Sequence, residues 1–213
     1  MSFSLRTCVL AGVAAILLVS VALVYSLGRS SDDDASAGTA GSSSSAIPAP
    51  TVKNIPALGT MLQNSDATIA VAAAERLSQA RSPEAVAPLL AAVNDPRPPV
   101  QAAAINALVA LQPTTVDPAP FMAIVESGAE PSVRAAALNF LGAQKVVKAM
   151  PMMLKCAADP DTDVRDRAAY GLHRITGRDY HFRADDSPAR RKEILAKMHD
   201  TITFPSGAEG PKP

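Results

Sequence analysis

The sequence has no tryptophan, and only 4% of its 213 residues are aromatic. Strands draw on Val, Ile, Tyr and Phe for their pleated faces, so this scarcity argues against a β-sandwich. An excess of one charge is missing too: 20 Lys and Arg balance 20 Asp and Glu. A neutral chain has no global field that gathers nucleic acid, and no basic stripe runs through the repeat region, so nucleic acid is not expected as a partner. Cysteine is limited to Cys8, which opens an apolar run, and Cys156, inside the helical pattern "MMLKCAAD". That placement implies a free, buried thiol at Cys156 and no disulfide. Cys8 also precedes the apolar run, the wrong order for a lipoprotein cleavage site. The three histidines, His173, His181 and His199, form no spaced pair. There is no Gly-rich phosphate loop, no nucleophile elbow and no Cys-x-x-Cys. No catalytic residue, cofactor site or metal ligand is therefore assigned.

What the chain does have is apolar residues, 48% of the total, and a middle rich in alanine. Small residues let helices approach closely. The expected class is all-α.

Residues 1–7 are read as a cytoplasmic N-terminus and residues 8–27 as a transmembrane anchor or a signal sequence. The run "CVLAGVAAILLVSVALVYSL" is twenty residues without a charge, enough at about 1.5 Å per residue to span a bilayer core of roughly 30 Å. A cleavable signal usually has a shorter apolar region of about 7–15 residues, but Ser26 and Gly28 supply small residues at its end. Either reading places the bulk of the chain outside the cytoplasm, because Arg6 precedes the span and Asp32, Asp33 and Asp34 follow it. The expected location is a single-pass inner-membrane protein, with export after signal cleavage as the alternative. Residues 28–55, rich in Ser, Gly and Ala, read as a flexible linker. A chain of that composition separates its ends by roughly 25 Å on average.

Self-similarity organises the remainder. One pattern recurs in "NSDATIAVAAAERL", "DPRPPVQAAAINAL", "GAEPSVRAAALNFL" and "DPDTDVRDRAAYGL". Each copy has a β-branched anchor (Ile69, Val100, Val133, Val164), an alanine four residues on (Ala73, Ala104, Ala137, Ala168) and a leucine eight on (Leu77, Leu108, Leu141, Leu172). The anchors are 31, 33 and 31 residues apart. Offsets of 4 and 8 fall on one helical face. Between these helices lies a shorter element, "APLLAAV", "APFMAIV" and "MPMMLKC", with Pro88, Pro120 and Pro151 at equivalent places. Proline there either starts the short helix or bends it. A pair of about thirty residues cannot bury its own apolar stripe, but stacking can, which predicts an α-solenoid of about four helix pairs over residues 56–180. Residues 181–204 are expected to form a capping helix opening at Ser187-Pro188, and residues 205–213 a disordered tail.

The Asp-Pro, Val-Arg, Ala-Ala and Leu of "DPDTDVRDRAAYGL", and much of "GAEPSVRAAALNFLG", resemble the short HEAT-type repeat of the bilin-lyase-like class. The resemblance covers residues 60–177, and the first copy is degenerate. It implies a scaffold or adaptor. As an alternative it implies a repeat-type enzyme or enzyme accessory handling a bilin chromophore. HEAT-type metalloenzymes similar to deoxyhypusine hydroxylase carry recurring His-Glu pairs, which this chain does not. In similar repeats, arginines placed like Arg134 and Arg165 tie neighbouring turns through the Asp at a helix entrance.

"DPDTDV" also has the alternate carboxylates Asp159, Asp161 and Asp163 of a calcium loop. Such a loop needs Gly at its sixth position and Glu at its twelfth, where this chain has Val164 and Tyr170. The reading is a helix entrance, with carboxylates serving free amides and the helix dipole.

On a helical wheel set at each anchor, offsets 4, 5 and 8 face the core and offsets 2, 6 and 9 point away. If the second helices line the concave face, as is usual in solenoids, the offset-6 row reads Glu75, Asn106, Asn139, Tyr170 and the offset-9 row ends at Gly142 and His173. Val71, Ala102 and Ala135 form the offset-2 row. Glu75, Asn106, Asn139, Tyr170 and His173 are the candidate binding residues, for a protein partner whose identity the sequence does not give.

Overall fold

The computed structural model describes residues 47–202. The expected membrane segment 8–27, most of the linker and the tail 205–213 lie outside the described residues. Among the described residues there are nine α-helices and no strand. No helix among them is long and apolar enough to cross a membrane.

Four helix pairs follow one another. The first helices are α1 (Ile55–Met61), α3 (Val86–Ala92), α5 (Ala119–Glu126) and α7 (Met150–Cys156). The second helices are α2 (Ala67–Gln79), α4 (Pro98–Leu111), α6 (Pro131–Ala143) and α8 (Thr162–Thr176), and α9 (Pro188–Thr201) closes the array. The short helices start near their prolines rather than bending at them. Pro56, Pro120 and Pro151 lie in the first turn, where no intrahelical N–H is lost. Pro56 marks a fourth copy of the proline element that its degenerate surroundings hide. Its helix already includes Ile55, and a 3-10 turn, Val52–Asn54, precedes it within the stretch expected as linker.

The second helices begin where the sequence supplies caps. The Asp66 carboxylate accepts from Thr68 N at 2.8 Å, and Asp161 accepts from Val164 N at 3.0 Å. Ser187 Oγ accepts from Arg190 N at 3.3 Å, opening α9. α4 and α6 instead place Pro98 and Pro131 first. Gly177, at φ 69°, ends α8 in the left-handed region where glycine is unstrained.

The second helices pack side by side as a continuous layer, α2 on α4, α4 on α6, α6 on α8, and each first helix packs on the second helix of its own pair. The repeat's alanines and leucines, Ala73 to Ala168 and Leu77 to Leu172, are all fully buried. The scarce aromatics are concentrated: Phe121 and Phe140 stack with ring centroids 3.9 Å apart, joining α5 to α6. Val100, Val133 and Val164 are fully buried, whereas Ile69 is only half-buried. α2 opens the layer, so no earlier second helix covers that flank.

Candidate functional site

The layered packing decides which outward positions are open. At about 100° per residue, offset 6 lies nearly opposite the core-facing offsets, while offsets 2 and 9 lie on the helix flank. In a side-by-side layer that flank meets the next helix. Ala135 and Gly142 of α6 are accordingly buried, and Gly142 faces Gly171 of α8. The expectation that offsets 2 and 9 point to solvent is corrected here: on α6 they form a helix–helix contact. On α8 the same flank has no following second helix, so Asp166 and His173 are exposed.

The offset-6 row stays open along the layer. Glu75, Asn106 and Tyr170 are exposed, and Asn139 is half-buried. Among the described residues the side-chain amides of Asn106 and Asn139 make no hydrogen bond to the protein, and neither amide is a buried unsatisfied group. Tyr170, 43% exposed, accepts a hydrogen bond from Arg174 Nη1 at 3.3 Å, with that guanidinium 5.8 Å from its ring centroid. His173 Nδ1 lies 3.0 Å from the carbonyl oxygen of Arg178.

Tyr170 and His173 come together in a hollow of about 240 Å³ at the open flank of α8. Arg167, Arg178, Tyr180 and Phe182 complete much of its wall. Glu75, Asn106 and Asn139 lie further along the layer and do not line it. The sequence pattern found Tyr170 and His173 but missed the strap around Arg178 and Tyr180, which follows the last repeat and has no periodicity to betray it.

The helix entrances are stitched by arginines. Arg134 of α6 pairs with both oxygens of Asp159, in the turn before α8, and its Nε donates to Ala129 O at 3.0 Å. This is the tie through the entrance Asp that the repeat resemblance implies. Arg165 departs from it: its guanidinium donates to the carbonyls of Asp159, Pro160 and Ala184, and not to a carboxylate. Arg97, which periodicity did not single out, pairs with Asp95 and reaches back to Leu62 O at 3.2 Å in the preceding turn. Burial raises the Asp159 carboxyl. The bond from Arg134, the Asp161 amide and the charges of Arg134 and Arg165 outweigh it, holding the group below the usual carboxylate range. Two of the three "DPDTDV" carboxylates are thus engaged at a helix entrance, Asp159 in an ion pair and Asp161 as a cap, while Asp163 stands exposed in the first turn of α8. Cys156 is a buried free thiol, pushed up by desolvation and by the charge of Asp159, so it is a poor thiolate nucleophile at neutral pH.

The family model for HEAT repeats matches residues 55–121, and a HEAT repeat model matches residues 149–177. Residues 55–121 and 149–177 are thus HEAT repeats by family model. A solved structure similar to it is that of the complex of CpcE and CpcF of phycocyanin lyase from Nostoc sp. PCC7120. The likeness is 24% identical, covers 71% of this chain and 91% of that chain, and has a TM-score of 0.46. No curated protein matches the chain.

Proposed function

We propose that this chain is a protein-interaction scaffold of the bacterial cell envelope, without catalysis of its own, tethered by residues 8–27 and binding its partner along the second-helix face. The observation that carries this reading is the open offset-6 row. It runs across four adjacent helices and offers two amides without protein partners, then a tyrosine beside a hollow. Exposed amides and a partly exposed tyrosine suit an extended or helical segment laid across a solenoid, because each can bond backbone groups without a charge to desolvate. The tether is supported by the charge-free run and by Arg6 before it.

The test joins a crosslink to a variant. A photoreactive residue at Glu75, exposed in the same row and kept in every variant, should capture a discrete envelope protein in cells. Changing Asn106, Asn139 and Tyr170 together to Lys should abolish that capture at unchanged helicity. Undiminished capture by the triple variant would move the site off this face. Protease added to spheroplasts should digest residues 51–213, and protection until lysis would overturn the envelope location. The bilin alternative is read separately, by incubating the purified chain with a free bilin. A visible band that survives gel filtration would favour a chromophore-handling role over a scaffold.

A further inference from the structure

A groove of about 730 Å³ runs between the first helices α5 and α7, on the opposite side of the array from the offset-6 row. Its floor holds Met122 and Val125 from α5 and Met152 and Cys156 from α7, with both methionines half-buried. Lys148 and Lys155 stand exposed on its rim with a single unpaired carboxylate, Glu126, and none of the three has an ion-pair partner among the described residues. The sequence explains the polarity. From residue 131 to residue 158 there are four cations (Arg134, Lys145, Lys148, Lys155) and no Asp or Glu, in a chain whose charges balance overall. Scattered lysines form no stripe when read along the chain, but the fold brings two of them to one rim. Arg134 contributes no free charge, since Asp159 neutralises it within the same wall.

The repeat by itself does not produce this chemistry. The corresponding groove between α1 and α3 is lined by Thr60, Gln63, Gly59 and Pro88, with Lys53 set against Glu84. At α5 and α7 flexible thioethers line the floor instead, and two lysines stand against one glutamate, leaving the rim basic by one charge. Methionine side chains reshape around different apolar groups at little cost, and rim charges select partners of opposite sign and speed encounter.

We infer that the α5–α7 groove binds an extended acidic segment of a partner protein, with an apolar side chain seated between Met122 and Met152 and flanking carboxylates on Lys148 and Lys155. This makes the array two-sided: it would hold a second, acidic client independently of the offset-6 row.

The probe is a fluorescein-labelled dodecapeptide of alternating Asp and Leu, followed by anisotropy on the full-length chain in a non-ionic detergent. Binding is expected, with weakening as salt rises. Charge reversal of Lys148→Glu with Lys155→Glu should weaken it about tenfold. Met152→Gln should weaken it too, and Lys53→Glu, in the other groove, should leave it unchanged. An alternating Asp and Ser peptide should bind poorly for want of an apolar anchor, and a Lys and Leu peptide poorly for its sign. Circular dichroism checks that each variant is folded. Equal affinity in the charge-reversed variant, or equal binding of the Lys and Leu peptide, would overturn the proposal. So would an anionic lipid result: micelles doped with phosphatidylglycerol engaging Lys148 and Lys155 while the Asp and Leu peptide does not.

Discussion

Gly142 of α6 and Gly171 of α8 meet backbone to backbone: a methyl group on Gly142 would stand 2.6 Å from the Cα of Gly171. Nothing there can rotate aside. A methyl group on Gly171 would instead meet the Sδ of Met153 at 2.9 Å, the mobile end of a flexible side chain. The two glycines should therefore respond differently to alanine. Helix propensity favours alanine by up to about 1 kcal/mol, while overpacking costs about 1–3 kcal/mol. Gly142→Ala is expected to lose about 1–2 kcal/mol in urea unfolding. Gly171→Ala should stay within about 0.5 kcal/mol of the parent chain, because Met153 can yield. Equal losses would mean that the two helices are free to shift apart.

That contact also shows where a linear reading stops. Alanines at offset 4 and leucines at offset 8 were legible because the 3.6-residue period reports which side of a helix is buried. Asp161 and Ser187 were legible at helix starts because capping is local. The period does not say how many neighbours a helix has, so it puts Gly142 and Ala135 toward solvent, whereas in the layer both are buried and Gly142 meets α8. Arg97 was missed for a related reason. Its partners Leu62 and Asn64 lie more than thirty residues away, and only stacking brings those turns together. Within the candidate row, Tyr170 and His173 could be named from the sequence, but the hollow they share needs Arg178 and Tyr180 from an aperiodic strap.

The Arg134–Asp159 pair predicts an acid limit. The hydrogen bond from Arg97 lowers the Asp95 carboxyl in the same way, against a smaller opposing effect of burial. A carboxyl whose folded pKa is depressed gives its stability in full above the unfolded value of about 4, and loses it as pH falls through the lower folded value. The urea midpoint should hence be flat with respect to these two groups from about pH 5 upward, and fall below about pH 4. Asp159→Asn should lower the plateau by about 2 kcal/mol, the scale of a hydrogen bond to a charged group. Its acid slope should be shallower, so that variant and parent converge at low pH. A constant gap between them at every pH would show that the lost stability does not come from the charge of Asp159.

Arg165 predicts how the array is closed. It is 7% exposed, and its Nε and Nη2 both donate to Ala184 O, at 3.0 and 2.8 Å, while Nη1 takes the carbonyls of Asp159 and Pro160 at 2.8 Å each. One guanidinium thus ties the last helix entrance to the segment leading into α9, whose Ile194 and Met198 are themselves buried in the core. Arg165→Ala would leave three carbonyls short of their donor at a site where water has little access, a loss of about 2–3 kcal/mol. Lysine would keep the charge but not the planar fork, so Arg165→Lys should recover only a minor part. The loss should be local. Hydrogen exchange well below the melting temperature should quicken over residues 180–202, and trypsin should cut at Arg183, while α4 and α6 keep their protection. Uniform acceleration across the array would mean that α9 unfolds with the repeats as one unit and that Arg165 holds the whole solenoid. Unchanged exchange over residues 180–202 would mean that Ile194 and Met198 hold the cap without it.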